Sequence, residues 1–389
     1  MSDEDFLSEE LSLRSLASLL DQGQQFADAA DFEAALNRYD QALDLQPDCE
    51  DAWSGRGMAL HQLGRYPAAL VSFDRALELQ PDGVRGWVGC GLALWQMDRL
   101  QAAIVSFDRA LALEPENAEA WWHRGKVLQG LKRLKEALTS YHRAVLSDPS
   151  LTAAWRDRAA LLWRLNREPE ALASYDRVTE ICPEDADAWS RRGHLFYGLK
   201  RYEDAVESYD RALSLQPTVA LWSRRADALR NLAQPEAAIA SYDHALKLRS
   251  DEPQLWYGRG LALRKLERYD GAIANFDRAL ALRPDFYLAT RSRLLALAKA
   301  KRLKHYLLSK NPLDQDRART DLANILGVIV KAKLPATVVI AVGLFYSLGG
   351  FHSLMNGGMA IESRLTVIAV AAGILIVSLI GEWMDETRL

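Results

Sequence analysis

Apolar residues recur through most of the chain at spacings of three and four residues, as in Ala69, Phe73, Ala76 and Leu77. That spacing places side chains on one face of a helix, whereas a half-buried strand alternates apolar and polar positions. The pattern itself repeats, and tryptophan marks a period of 34 residues with one step of 33: Trp53, Trp87, Trp121, Trp155, Trp189, Trp222 and Trp256. A fixed period of this length indicates stacked repeats, each of which buries its apolar face against its neighbours.

Eight repeats align on this period, and each combines small and large residues at fixed positions. Position 4 is Trp except at Leu19, position 8 is Gly or Ala, position 20 is Ala, and position 24 is aromatic. Gly and Ala let two helices approach closely, and the large side chains fill the space beside that contact. Proline at position 32 ends the second helix. We therefore predict eight helical hairpins, at residues 16–49, 50–83, 84–117, 118–151, 152–185, 186–218, 219–252 and 253–286.

The second repeat shows the consensus most completely, in Trp53, Leu63, Gly64, Tyr66, Ala69, Phe73, Ala76 and Pro81. These residues match, position for position, the signature of the tetratricopeptide repeat (TPR) family, which residues 16–286 resemble. The resemblance implies an all-α fold, a TPR α-solenoid of eight helix-turn-helix repeats wound into a right-handed superhelix. Two departures are local. Ser250 replaces a terminal proline, and the sixth repeat lacks one residue at Thr218–Val219, which predicts a tighter loop.

The segments that flank the repeats differ in charge. Residues 1–15 form an acidic N-terminal segment, whereas residues 287–310 carry seven basic and no acidic side chains. Leucines at helical spacing in 287–310 predict a capping helix, because a solenoid needs a final element with a polar outer face. The same positive charges would attract anionic lipid near a membrane. No nucleic-acid binding is expected, since few aromatic residues accompany the basic ones and apolar runs follow.

Two long runs without charged side chains lie near the C-terminus, at residues 334–351 and 365–381. A helix that crosses a bilayer needs about 20 apolar residues, within a range of about 17–25. We therefore predict a linker at 311–333, a first transmembrane helix at 334–351, a polar loop at 352–364, and a second transmembrane helix at 365–383. The alternative is an apolar hairpin that packs under the solenoid in water.

The distribution of positive charge predicts the orientation of this hairpin. Basic residues cluster before the first span, whereas the loop between the spans carries only Arg364. Positive flanks remain on the cytoplasmic side. We therefore expect a multi-pass membrane protein with two spans, whose solenoid and two termini face the cytoplasm.

No arrangement of residues in the sequence indicates catalysis, a metal site or a cofactor. The three cysteines are far apart and form no CxxC pair, which favours a reducing compartment without a structural disulfide. Gly-x-Gly sequences such as Gly55-Arg56-Gly57 lack the third glycine of a dinucleotide loop and are predicted to pack helices. Histidines never occur at the spacing of a helical metal site. The Asp-Arg pairs after position 24 are interpreted as a solvated outer face.

The resemblance implies a concave groove lined by the first helix of each repeat, chiefly at positions 2, 5, 9 and 12. Position 6 is added for two arginines that could reach the same surface. Tryptophan and arginine are the residues most enriched in binding hot spots. For the three tryptophans in this set, packing against adjacent helices is the alternative. The predicted groove residues are Met58, His61, Leu92, Trp95, Trp122, Lys126, Arg156, Trp163, Arg191, His194, Tyr197, Arg224, Arg230, Tyr257 and Arg264.

These features together predict a membrane-anchored TPR scaffold or adaptor, not an enzyme and with no cofactor. Its partner is expected to be a protein segment with acidic and apolar side chains, held at the cytoplasmic face of the membrane. A second hypothesis is an assembly or targeting factor that delivers client subunits to a membrane complex. A third is a peripheral lipid-binding protein.

Overall fold

The computed structural model describes the backbone of residues 3–300 and the side chains of residues 14–300. Within residues 3–300 it contains 17 helices and no strand, which confirms the all-α prediction. The described part of the chain divides into two compact units on either side of the Leu195–Phe196 bond, here called the N-terminal unit and the C-terminal unit. The division falls inside the eleventh helix.

Each repeat contributes a first helix (helix A, odd-numbered) and a second helix (helix B, even-numbered). The N-terminal unit holds α1 (Asp3–Asp28), α2 (Phe32–Leu45), α3 (Glu50–Gln62), α4 (Tyr66–Leu79), α5 (Val84–Gln96), α6 (Leu100–Leu113), α7 (Ala118–Gly130), α8 (Leu134–Ser147), α9 (Thr152–Arg164), α10 (Glu168–Ile181) and most of α11 (Ala186–Gly198). The C-terminal unit holds the end of α11, α12 (Tyr202–Leu215), α13 (Val219–Asn231), α14 (Pro235–Leu248), α15 (Pro253–Lys265), α16 (Tyr269–Leu282) and α17 (Tyr287–Lys299). Residues 3–15 of the predicted acidic segment lie in the same helix as the start of the first repeat.

The aromatic ring at position 24 packs against glycines on the A helices, and in the first two repeats it lies between two of them. In the N-terminal unit, a methyl group added at Gly57 would lie 2.6 Å from the Phe73 ring, and one added at Gly89 would lie 2.3 Å from it. Phe73 is fully buried. In the C-terminal unit, Gly260 has the same relation to Phe276, at 2.6 Å. The prediction that Gly-x-Gly sequences pack helices is therefore confirmed.

The turn between helix A and helix B has one geometry in all eight repeats. In the second repeat Gly64 adopts φ +74°, and the N–H of Arg65 donates to the Leu60 carbonyl at 2.9 Å. A left-handed residue followed by such a bond is the usual way to end a helix, because it satisfies a carbonyl that the helix leaves unpaired. The other seven repeats reach the same conformation with residues other than glycine. The turn therefore depends on the tertiary contacts that flank it as well as on local propensity.

In most repeats the tryptophan at position 4 joins the start of its repeat to the end of the preceding one. The indole N–H of Trp53 donates to the Pro47 carbonyl at 2.8 Å, and that of Trp256 donates to the Ser250 carbonyl at 2.8 Å. The arginine at position 7 then covers the indole face, with Arg56 Cζ 5.6 Å from the Trp53 ring centroid. The Trp and Pro periods of the sequence therefore report one contact, and Ser250 preserves it through its backbone.

A row of ion pairs links helix B of one repeat to helix A of the next. Arg124 Nε donates to Asp108 Oδ1 at 2.6 Å, and Arg124 Nη1 donates to Ser140 Oγ at 2.8 Å. The prediction of a merely solvated face needs correction, because these aspartates are partly exposed but held by the following repeat. Among residues 14–300, six repeat boundaries carry this pair, which we call the Arg–Asp ladder: Arg56–Asp40, Arg124–Asp108, Arg192–Asp176, Arg225–Asp210, Arg259–Asp243 and Arg293–Asp277.

The one-residue deletion in the sixth repeat shortens a loop, as predicted. Helix α12 ends at Leu215 and α13 begins at Val219, which leaves three connecting residues. The Thr218 side chain accepts a hydrogen bond from the Leu221 N–H and so begins α13. The indole of Trp222 stacks on the His244 ring at 4.4 Å. The deletion therefore shortens only the connection before α13, and both flanking helices keep their usual length.

The last described helix, α17, lies within the predicted basic cap at residues 287–310. Leu294, Leu295 and Leu297 of α17 are buried, but Arg293 is also buried and pairs with Asp277 at 2.5 Å. Arg293 therefore belongs to the ladder and not to a lipid-facing surface. Within residues 3–300, no helix has the length and apolar character needed to cross a bilayer. The remainder of the predicted cap, the linker at 311–333, the spans at 334–351 and 365–383, and the loop at 352–364 lie outside the described residues.

Candidate peptide-binding surface

The structure places the predicted groove residues of the N-terminal unit on A helices, with unequal exposure. Met58 is 37% exposed, and His61 and Trp163 are half-buried. Leu92 differs from the prediction, because it is 9% exposed and packs in the apolar core that contains Phe107. Its side chain therefore stabilises the unit and offers little surface to a ligand.

Two predicted tryptophans and a predicted lysine form one cluster across neighbouring A helices. Lys126 Nζ lies 4.8 Å from the Trp95 ring centroid and 4.6 Å from the Trp122 ring centroid. An ammonium group over an indole face is attracted by the negative potential of the ring. Both tryptophans are half-buried and pack on the core, as the alternative interpretation of these residues expected. Part of each indole nevertheless remains exposed, so the two tryptophans both pack against the core and contribute to the surface.

His123 completes this cluster and was not predicted from the sequence. Its ring stacks on Phe107 at 6.0 Å and lies 4.5 Å from the Trp122 ring centroid. Burial, together with the nearby Lys126 charge, lowers the pKa of His123 from 6.5 to about 4. The imidazole is therefore neutral at physiological pH. His123 occupies position 6 of the fourth repeat, and three other repeats have glycine at that position. A large ring in place of glycine was the sequence feature that could have pointed to His123.

The surface continues along the N-terminal unit through polar and aromatic contacts. The Trp122 indole N–H donates to Asp157 Oδ2 at 2.7 Å, which makes Asp157 a second surface residue that sequence reasoning missed. Further along, the rings of Trp163 and His194 lie 5.3 Å apart. These contacts fix the orientation of the large side chains, so a ligand would meet a preorganised surface.

The predicted arginines of the N-terminal unit are already paired with aspartates. Arg156 Nη2 donates to Asp185 Oδ2 at 2.6 Å, and Arg191 Nε donates to Asp187 Oδ2 at 2.6 Å. Each arginine remains more than 40% exposed, at 46% and 42%. Their local field is consequently mixed in sign and weaker than that of unpaired guanidinium groups.

In the C-terminal unit the predicted residues form a hydrogen-bonded group on α11, α13 and α14. Asn231 donates to the Tyr197 hydroxyl at 2.9 Å, and Arg230 Nη2 donates to Asp227 Oδ1 at 3.0 Å. The hydroxyl of buried Tyr242 also donates a hydrogen bond to Asp227 Oδ1, at 2.6 Å. Arg230 is thus neutralised locally, as the arginines of the other unit are.

The remaining predicted residues of this unit make aromatic or partly buried contacts. The Tyr257 ring lies 5.0 Å from that of Phe286, and Arg264 is half-buried. Arg224 forms a side-chain hydrogen bond with the Tyr209 hydroxyl, and burial is the main cause that raises the pKa of Tyr209 to about 12. Arg224 therefore contacts the preceding repeat in addition to any groove surface.

A cavity of about 220 Å³ lies beside Met58 in the N-terminal unit. Met58, Phe32 and Tyr39 line it, with Asp28 and Arg85 among its polar residues. Gln24 and Gln62 also line it, so its wall combines apolar and polar side chains. Such a wall offers contacts to an apolar side chain and hydrogen bonds to a backbone. This cavity is a concave feature beside a predicted groove residue.

The described side chains form no group of metal ligands, and the thiol of Cys90 is not activated. Among residues 14–300, no cluster of three or more His, Cys, Asp or Glu could hold a metal ion. Cys90 is buried, and burial together with the neighbouring Asp74 carboxylate raises the pKa of its thiol. A protonated buried thiol is a poor nucleophile.

Comparison with protein families identifies repeats over most of the described chain. Three models, each described as tetratricopeptide repeat, match residues 20–84, 91–150 and 124–186, residues 186–219 and 253–286, and residues 219–252. A search of curated proteins found no significant match to this sequence.

Solved structures with similar folds share low sequence identity with the chain. YrrB, described as a TPR protein with an unusual peptide-binding site, is 26% identical over 50% of this chain and 97% of its own, with a TM-score of 0.40. TTC0263, a thermophilic TPR protein from Thermus thermophilus, is 22% identical over 47% and 99%, with a TM-score of 0.42. A tetratricopeptide repeat protein from Parabacteroides merdae is 16% identical over 64% and 99%, also at 0.42.

Proposed function

Because the chain belongs to the tetratricopeptide repeat family, we propose that it is a scaffold that binds protein segments along its A helices. From the sequence of its C-terminal part we propose that this scaffold is anchored to a membrane. Repeats of this family are protein-interaction modules. In the described fold each repeat contributes one A helix, along which a partner segment would bind. The membrane anchor and the chemistry of the partner are the finer parts of the proposal.

One observation carries the binding role, namely the row of half-exposed A-helix side chains in the N-terminal unit. Met58 lines a cavity, Trp95 and Trp122 hold Lys126 between them, and Trp163 follows in a later repeat. Large aromatic side chains that are already fixed in place lose little conformational entropy when a partner binds. Such residues supply most of the affinity at protein interfaces.

The same surface favours a partner segment with apolar side chains and some acidic ones. The cavity beside Met58 suits an apolar side chain. Exposed arginines such as Arg156 and Arg191 have donors for carboxylates, but their existing aspartate partners weaken that attraction. We therefore infer that apolar contacts provide most of the affinity and that acidic side chains set the register of the segment.

Membrane attachment is proposed from the sequence of the C-terminal part of the chain. The runs at 334–351 and 365–381 lack charged side chains and reach the length that a span requires, about 17–25 residues. A polar loop separates them, and basic residues precede the first run. A scaffold fixed in this way would hold its partner segment at the cytoplasmic face.

The binding role is tested by placing a charge in the cavity. Met58→Asp is expected to reduce capture of cross-linked partner proteins from the native membrane by about tenfold or more, because a carboxylate loses hydration in an apolar contact. The matched control is Val71→Asp on helix B, where the valine is 65% exposed. Equal loss with both variants, or with neither, would exclude the A-helix row as the binding surface.

Membrane attachment is tested by extraction. The full-length chain should stay in the membrane pellet after washes with alkaline carbonate and with high salt, whereas a chain that ends at Lys310 should be released as a helical protein. Salt screens electrostatic attachment but leaves apolar insertion intact. Release of the full-length chain by salt alone would contradict the hairpin and would favour the basic segment 287–310 as a peripheral contact.

A further inference from the structure

One boundary of the Arg–Asp ladder carries a basic residue where the ladder has aspartate. Position 25 of the fourth repeat is His142, and position 7 of the fifth repeat is Arg158. The preceding boundary in the same register is Asp108–Arg124, whose atoms are 2.6 Å apart. Arg158 thus occupies the ladder position of Arg124 but faces an imidazole.

The guanidinium of Arg158 is nevertheless held as the other ladder arginines are. Its Nη1 donates to Ser174 Oγ at 2.5 Å, and its Cζ lies 5.6 Å from the Trp155 ring centroid. Its Nε is buried and has no hydrogen-bond partner. In Arg124 the equivalent Nε donates to a carboxylate. A buried donor without an acceptor is unfavourable, and a charged donor especially so.

The charges around Arg158 are mostly positive. The pKa of His142 is lowered mainly by burial, and the positive charges of Arg158 and Arg143 lower it further. Burial is the main cause that lowers the pKa of Arg158. The nearby positive charge of Arg167 lowers this pKa further, whereas the negative charge of Glu170 raises it. Glu170 is already engaged, because both of its oxygens accept hydrogen bonds from Arg167, at 2.6 and 2.7 Å. An additional anion would therefore be attracted to this point.

We propose that Arg158, with His142 beside it, binds the carboxylate of an acidic side chain from a partner protein. One carboxylate oxygen would accept from Arg158 Nε, as Asp108 does at Arg124, in a charge-assisted hydrogen bond. His142 is an exposed residue and stands where the ladder has aspartate, so solvent reaches this boundary beside it. The Arg–Asp ladder holds the Arg158 guanidinium in the geometry that binds a carboxylate. Because residue 142 is His and not Asp, the chain itself supplies no carboxylate at that position, and an external one can bind there.

This site is separate from the row of A-helix residues described above. Each helical residue turns the side-chain direction by about 100°, so position 7 points roughly opposite to position 9 on the same helix. Arg158 therefore faces the preceding helix B. It points away from the A-helix surface that position 9 faces, which in the second repeat carries Met58. Binding at Arg158 would add a second contact for a partner and does not depend on the first.

The test observes the Arg158 Nε–H directly, by nuclear magnetic resonance of the full-length chain labelled with ¹⁵N-arginine. The probe is an acetylated and amidated Ala-Glu-Ala tripeptide, titrated at constant ionic strength, and Arg158→Lys assigns the signal. In the unmodified chain the Arg158 signal should shift in a saturable manner toward those of the ladder arginines.

Two matched variants move the carboxylate within the chain. His142→Asp supplies it internally, so the Arg158 signal should begin near the ladder arginines and its apparent affinity for the tripeptide should fall by about tenfold or more. Asp108→His should create the same response at Arg124. The first variant completes the ladder and so is expected to fold at least as well as the unmodified chain.

The proposal is overturned if the Arg158 signal does not respond, or if it responds equally in the His142→Asp variant. Two further probes identify the source of the anion, namely inorganic phosphate and acetylated trialanine with a free C-terminus. A response to either probe without a response to the glutamate tripeptide would overturn the assignment to an acidic side chain.

Discussion

Replacing Gly89 with alanine is expected to destabilise the N-terminal unit by about 3 kcal/mol, near the upper end of typical overpacking costs. The new methyl group would lie 2.3, 2.4 and 2.6 Å from three carbons of the Phe73 ring. That ring is fully buried and held on its other side by Gly57, so it cannot move without displacing a neighbouring helix. Chemical denaturation of the unmodified and substituted chains measures the difference.

Gly198→Ala is the matched control, because a methyl group there would meet no atom within 4 Å. It should leave stability nearly unchanged or slightly raised, since alanine favours helix over glycine. Hydrogen exchange should rise around Gly89 in the second and third repeats before it rises in the fifth. Uniform loss of protection through the N-terminal unit would show that its repeats unfold as one block, contrary to stabilisation by nearest neighbours.

Acid is expected to destabilise the N-terminal unit through His123. The folded unit keeps this imidazole neutral, with its pKa lowered from 6.5 to about 4, chiefly by burial. Between these two values the unfolded chain binds a proton that the folded chain does not, so stability is complete above pH 6.5 and falls toward pH 4. The loss should approach about 3 kcal/mol, because one pKa unit corresponds to about 1.4 kcal/mol.

The control for this prediction is His123→Phe, which keeps an aromatic ring beside Phe107 and Trp122 but cannot be protonated. Nδ1 of His123 is buried without a hydrogen-bond partner, so phenylalanine removes no hydrogen bond at that atom. Unfolding free energies measured from pH 7 to pH 4 should separate the two chains progressively. Parallel curves would show that His123 does not titrate in this window on unfolding.

The fold could be predicted from the sequence because its main contacts recur with a constant period. Gly57, Gly89 and Phe73 occupy positions 8, 6 and 24, and the structure brings them together as their sizes require. The proline and tryptophan periods meet in one hydrogen bond, as between Pro47 and Trp53. Periodicity identifies such contacts since each is repeated many times in one chain.

The candidate surface was less predictable, because a helix position indicates the direction of a side chain but not its partner. Leu92 lies at a groove position, yet the neighbouring helices bury it. Arg156 was predicted to be available for a ligand, but Asp185 at the end of the same repeat already binds it. His123 occupies position 6, whose residue varies among Gly, Asp, Arg and His, so the repeat pattern gives it no fixed role. These outcomes depend on individual residues and not on the repeat consensus.

Site-specific photo-cross-linking tests most directly whether partner segments bind along the A helices. A benzophenone side chain would replace Met58 in one full-length chain and Val71, on helix B, in another, and both would be irradiated in the native membrane. Cross-links to the same partner protein should form from position 58 and not from position 71. Cross-links from position 71 alone would contradict the account and would place the partner on the B helices.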